Sequence, residues 1–239
     1  MKEVSTKRAQ GFSLVEMAVV LVIVGLMIGG LLTPLSMQME QRRTGETQKA
    51  MEEAREALMG YAMRNGYLPC PAKSASNGIE DRSGVVCTDG RREGLLPWAT
   101  LGVQKLDGWG HPFHYSVTPG YANSQAMFTL QTRRDITIGT RDARGNLVSA
   151  TEINDIPAVI VSHGKNGNGA VSDSGIRSAS GSTTNADERI NAAETGIAFV
   201  TRTPSDNPNA PGGEFDDLVL WVSPNILFNR MVSSGALPR

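Results

Sequence analysis

The run from Leu14 to Leu32, "LVEMAVVLVIVGLMIGGLL", is apolar throughout except for one carboxylate, Glu16. A helix of about 20 apolar residues crosses the ~30 Å hydrocarbon core of a bilayer, so this run can span one. It is longer than the ~7–15-residue core of a secretory signal, and no small-residue cleavage site follows it. Lys2, Lys7 and Arg8 precede it against Glu3, and such a basic excess keeps an N-terminus cytoplasmic. Arg42 and Arg43 at the far end weaken that bias a little. Everything after about Leu35 is therefore expected on the other side of the membrane.

A chain of 239 residues allows one sizeable domain or two small ones. Aromatic residues are sparse at 5%, which points to small cores in a loop-rich body. The net charge of −1 gives no sign of nucleic-acid binding. An acid inside a lipid-embedded helix is costly, on the order of 3 kcal/mol, and is a functional candidate for that reason. The blander reading is that Glu16 lies near the interface and reaches water.

The pattern around it is more specific: a basic leader, then Gly11, Phe12, Ser13, Leu14, Val15 and Glu16, then the apolar helix. Residues 7 to 35 closely resemble the class III signal of type IV pilins and type II secretion pseudopilins. The resemblance implies cleavage after Gly11 by a prepilin peptidase and methylation of the new N-terminal residue, Phe12. It also explains the acid. Cutting creates a cationic amine about one helical turn from Glu16, and the carboxylate of one subunit can pair with the Phe12 amine of a neighbour. A buried charge is tolerable when paired and strongly unfavourable alone. Glu16 would thus fix the stagger between subunits, as a buried polar group fixes register in a coiled coil. The implied location is the bacterial inner membrane, single-pass with a cytoplasmic N-terminus and a periplasmic head, and then a periplasmic or surface filament. The implied partners are the peptidase, other pilin or pseudopilin subunits, the inner-membrane assembly platform and membrane lipid.

Beyond the membrane, "MQMEQRRTGETQKAMEEAREALMGYAMRNG" holds two internal glycines, Gly45 and Gly60, and no proline. Met51, Ala54, Leu58 and Tyr61 form one apolar stripe at helical spacing. Asn65-Gly66 is a stop signal. Thr33-Pro34 should kink the helix. One spine from about Phe12 to Arg64 is expected, the alternative being two helices hinged near Pro34 or Gly45. The division of the chain follows: leader 1–11, transmembrane helix 12–35, exported half of the spine 36–65, and a globular head over 66–239.

Cys70 and Cys87, the only cysteines, lie 17 positions apart among Ser, Asn, Gly and Asp. In an exported loop such a pair reads as a disulfide rather than two thiols. With neither a CxxC nor a second pair, a redox motif or thiolate zinc site is not expected. Further on, Asp107, Trp109, Gly110, Pro112 and Tyr115 in "LDGWGHPFHY" resemble a segment of major pseudopilins and related minor pilins. The glycines and Pro112 suit a tight turn, with Trp109 expected to anchor it on the spine. His111 and His114, without further ligands nearby, read as packing or surface residues rather than a metal site.

Strands are expected at 113–118, 126–132, 135–140, 158–162, 196–203 and 217–223, forming an antiparallel sheet on the spine helix. The fold class is thus α+β and pilin-like. "TTNADERINAAETG" should hold a short helix. A closing helix should start at Ser223-Pro224 and stop at Gly235. That extra helix and the long body favour a minor subunit over a bulk one.

Two loops resemble ligand sites. "SHGKNGNGAVSDSG" has neither the order of a phosphate-binding P-loop nor a GxGxxG. Glu214, Asp216 and Asp217 follow a glycine turn, and major pseudopilins hold calcium in a comparable late loop. Oxygen donors suit that ion, but these acids do not complete a ligand pattern, and no other cofactor is expected. No nucleophile or metal centre assembles from the motifs, so no enzyme is expected. A membrane-anchored periplasmic hydrolase or binding protein is the alternative, and it would not need cutting at Gly11.

Overall fold

The computed structural model describes residues 13–179 and 184–237, with the side chains of residues 28–35 also left undescribed. The fold is α+β, with a long N-terminal helix and mainly antiparallel sheets. Its contacts divide into two compact units, Met1–Arg42 and Arg43–Arg239.

Helix α1 runs Leu14–Asn65 and includes Pro34 and Gly45. In the first unit the side chains from Leu14 to Met27 are exposed and almost all apolar. In the second unit Met51, Ala54, Leu58 and Tyr61 are buried, which puts the apolar stripe against a core. The helix ends at Asn65, whose Nδ2 donates to the Tyr61 carbonyl at 2.9 Å. Gly66 then takes φ 81° and donates its N–H to Ala62 O at 2.7 Å, a left-handed stop that glycine adopts without steric cost.

The other elements are β1 (Arg82–Ser83), β2 (Val86–Cys87), β3 (Glu93–Leu95), α2 (Trp98–Leu101), β4 (His114–Val117), β5 (Thr137–Arg141), β6 (Leu147–Ser149), β7 (Ala158–Ser162), α3 (Ala186–Asn191), β8 (Ala198–Val200), β9 (Leu218–Trp221) and α4 (Pro224–Ser233). An antiparallel sheet orders its strands β3-β4-β7-β9. A second sheet is ordered β6-β5-β8, and β1 pairs only with β2.

β7 shows why this unit is layered. All five of its residues are buried. Ala158 and Ile160 join the core made with Met51, Leu58, Leu227 and Met231 of α1 and α4. Val159 and Val161 point the other way, to Ile138 and Phe199 of the second sheet and to Ile136 and Ile156, which bridge beside it. The two-residue period of a strand thus serves two cores at once. The four-stranded sheet is sandwiched between helices on one face and the second sheet on the other.

Three expectations need correction. The sheet structure is not wholly antiparallel, because β5 and β8 pair in parallel, Ile138 opposite Phe199. Residues 126–132 form turns rather than a strand. Asn123 Oδ1 accepts the N–H groups of Gln125 and Ala126 at 2.9 and 2.8 Å, and Met127 takes φ 49°; side-chain acceptors bend this segment before a ladder can form. Gly235 lies one position past the C-cap of α4, which is Ser234, and has φ 74°.

Candidate functional site: the N-terminal segment and the turns on the spine

Ser13 and Glu16 begin α1 with reciprocal hydrogen bonds. Ser13 N–H donates to Glu16 Oε2 at 2.8 Å, and Glu16 N–H donates to Ser13 Oγ at 3.2 Å. The Ser13 carbonyl accepts the first helical bond, from Met17 N–H. This is a capping box, which satisfies two N–H groups that a helix start leaves orphaned. It places the lone acid of the apolar run at the run's first turn. Gly11 and Phe12, the expected processing residues, lie outside the described residues. Among the described residues no helix is long and apolar enough to cross a membrane; within the Leu14–Leu32 run the described side chains stop at Met27.

The turn after α2 is organised by Asp107, which is buried. Its Oδ1 accepts the N–H groups of Trp109 and His111 at 2.9 and 2.8 Å, and its Oδ2 accepts Ser162 Oγ–H at 2.6 Å. Gly110 takes φ 91° at the tip. Leu106 bridges to Pro112, which closes the turn. Trp109, expected to anchor it, is half-buried, and its neighbour Gly108 donates its N–H to Thr47 Oγ1 of α1 at 2.9 Å. A Cβ on Gly108 would stand 2.6 Å from the Arg43 carbonyl oxygen, so the close approach requires glycine. Tyr115, fully buried, donates its hydroxyl to Pro69 O at 3.0 Å. Of these five motif residues, Asp107, Gly110 and Pro112 build the turn, Trp109 follows Gly108 in it, and Tyr115 belongs to the core shared with Met51 and Leu58 of α1. Nearby, Cys70 and Cys87 are joined by a disulfide.

The late acids come together differently from their sequence order. Glu188 of α3, Asp216 and Asp217 bring carboxylate oxygens within 4.8 Å of one another, and Glu214 is not in that group. Glu188 is fully buried. Its Oε1 accepts Asn166 Nδ2 and the Asp216 N–H at 2.9 and 3.1 Å. Its Oε2 accepts Asn168 Nδ2 and Asn185 Nδ2 at 2.8 and 3.0 Å. A carboxylate has roughly four lone-pair sites, and N–H donors fill all four. Asp217 Oδ2 likewise accepts Asn191 Nδ2 at 2.7 Å, while Oδ1 of both aspartates lacks a hydrogen bond. Calcium asks for a shell of oxygens. A ring of amide donors around the central acid does not fit it. Burial pushes the Asp216 carboxyl up to about 7; the Asn166 N–H acts against this, and the charges of Glu188 and Asp217 add to it. Burial raises the Asp217 carboxyl as well, against the pull of His163.

Residues 6–32 match the family model described as the prokaryotic N-terminal methylation motif, the prepilin-type leader of type IV pilins and pseudopilins. The chain carries a prepilin-type leader. Comparison with curated proteins and with solved structures returned no match.

The leader was legible because its residues are contiguous. Glu188 was not, since it becomes central only when the loops carrying Asn166, Asn168 and Asn185 close around it. A short helix is expected within "TTNADERINAAETG", and Ala186–Asn191 forms it, but nothing in its local sequence marks which of its acids turns inward. The buried pair His114 and His163 was equally hidden. Their rings stack at 5.5 Å although they lie 49 positions apart in sequence, His114 in β4 and His163 just after β7.

Proposed function

We propose that the chain is a minor pilin or pseudopilin, a structural subunit of a type IV pilus or type II secretion filament. The prepilin-type leader at residues 6–32 carries the reading. In this reading a prepilin peptidase cuts after Gly11, Phe12 becomes the methylated N-terminus, and Leu14–Leu32 holds the precursor in the inner membrane until assembly.

The described helix supports this. Leu14, Val15, Leu21, Val22 and Leu26 are 62–90% exposed. Such a surface is unstable in water and calls for lipid or another apolar helix. Glu16 keeps one oxygen in the capping box, while Oε1 makes no hydrogen bond to a described residue. Cleavage would put a cationic amine on Phe12, and Oε1 is left to receive the amine of a neighbour. The α+β head on the C-terminal half of the helix is compatible with a pilin-like subunit.

Mass spectrometry of the native polypeptide recovered from assembled material tests the proposal. An N-terminal, N-methylated Phe12 is the expected result. A chain that still begins at Met1 or Lys2 in that material overturns it.

A further inference from the structure

A cavity of about 270 Å³ opens at one end of the four-stranded sheet, between the loop closed by the disulfide and the glycine-rich loop after β7. Its size is near the lower limit of ligand pockets, ~300 Å³. The charged side chains that line it are Lys73, Arg91 and Arg177, and no carboxylate does. The acids that hold the guanidinium groups stand outside the lining. Asp81 pairs with Arg91 at 3.1 Å, and Glu93 pairs with Arg177 at 3.2 Å. Arg91 also donates to Ala72 O and Arg177 to Ala192 O. Both forks are therefore fixed in place with N–H donors to spare, since a guanidinium has five. Lys73 is exposed, and its Nζ makes no ion pair or hydrogen bond with a described residue.

A second observation comes from His114 and His163, which also line the cavity and are 4% and 2% exposed. His114 Nε2 faces Glu93 Oε1 at 2.6 Å and His163 Nδ1 faces Asp217 Oδ1 at 3.7 Å, while His114 Nδ1 is left with no hydrogen-bond partner among the described residues. Buried polar groups without partners are few in a native protein, and each calls for an account. Burial lowers the basicity of His114 against the pull of Glu93, so the positive charge here belongs to the lysine and arginines.

We infer that this cavity binds a small oxyanion, the phosphate or carboxylate group of a compact ligand. Lys73 and Arg91 meet its charge, and the histidine pair senses it. The inference is independent of cleavage at Gly11 and of filament assembly.

The full chain in nonionic detergent, labelled at histidine, provides the test, because only His111, His114 and His163 contribute signals. Inorganic phosphate and acetate are titrated separately at constant ionic strength, with chloride as the control. The expected result is a saturable shift of the His114 and His163 signals with at least one of the two anions, with His111 unmoved. Saturation by phosphate alone assigns a phosphoryl ligand, and by acetate alone a carboxylate ligand. Lys73→Gln, at an exposed and unpaired side chain, should leave the spectrum folded and weaken binding about tenfold, or ~1.4 kcal/mol. Three results would overturn the site: no saturable shift with either anion, the same shift with chloride, or unchanged affinity in Lys73→Gln.

Discussion

Ser13 and Glu16 cap one another at the first turn of α1, each donating its backbone N–H to the other's side chain. The acid of the apolar run therefore has a local task as well as its proposed one between subunits, and two variants separate them. Glutamine can close a capping box as glutamate does, but it carries no charge. Glu16→Gln should preserve the helix start and the processing at Gly11 yet fail to assemble, as should Glu16→Ala. Crosslinking of processed subunits in membranes measures this. If Glu16→Gln assembles as well as the parent, the carboxylate acts as a cap and the charge pairing is wrong.

Gly108 meets α1 with no room to spare. An added methyl would press on the Arg43 carbonyl at 2.6 Å and on Thr47 Oγ1 at 3.0 Å. The first of these is backbone and cannot rotate away. Gly108→Ala should destabilise the second unit by about 1–3 kcal/mol, the usual cost of overpacking. Gly60→Ala is the control, because no atom lies within 4 Å of its Cβ position. Denaturant unfolding of the detergent-solubilised chain followed by tryptophan fluorescence compares the two.

The Cys70–Cys87 bridge closes a loop of 17 positions. On the chain-entropy estimate this contributes about 3 kcal/mol. It also holds β2 beside β1, a pair too short to persist alone. Replacing both cysteines by serine should lower the free energy of unfolding by that amount, with the fluorescence of the folded state unchanged. A change below about 0.5 kcal/mol would mean that Arg82 alone secures the loop, through its bonds to Ala122 O and Glu80.

Legibility in the sequence followed the range of the interactions. The stripe Met51, Ala54, Leu58 and Tyr61 is a local period, and its burial needs no knowledge of partners beyond the presence of a core. β7 was equally plain, because "AVIVS" is a continuous apolar run and such runs are central strands. β3 and β6 have three residues each, too few for any period to show. The parallel pairing of β5 with β8 joins Thr137 to Ala198 across the chain, and nothing near either strand specifies it. Phe128 misled in another way. It is fully buried and stacks on Tyr121 at 4.6 Å, so its apolar character was real, but a turn delivers it to the core instead of a strand. The buried acids were the least legible. Asp216 and Asp217 could be named, but their partners come from loops far away in sequence.

Those acids give the second unit a definite pH dependence. Asp216 is held at about 7, against about 3.9 for a free aspartate. Between these values the unfolded chain has released the proton and the native state still binds it. Stability contributed by this group is therefore full below pH ~4, falls as pH rises towards 7, and changes no further above that. Asp217, raised by burial, adds a slope of the same sign. Glu56, lowered by its bond to Arg230, and Asp135, where Arg92 and Thr118 outweigh burial, have the opposite sign. Their contributions are lost only as pH falls below the ordinary carboxylate range. Asp216→Asn keeps an acceptor for the Asn166 N–H, which now bonds Oδ2 at 2.8 Å, and removes the titration. Unfolding midpoints at pH 5, 6, 7 and 8 should fall more steeply for the parent than for Asp216→Asn, with the variant the more stable at pH 8. Parallel curves would mean that Asp216 ionises like an exposed acid, and that the cluster around Glu188 tolerates its charge.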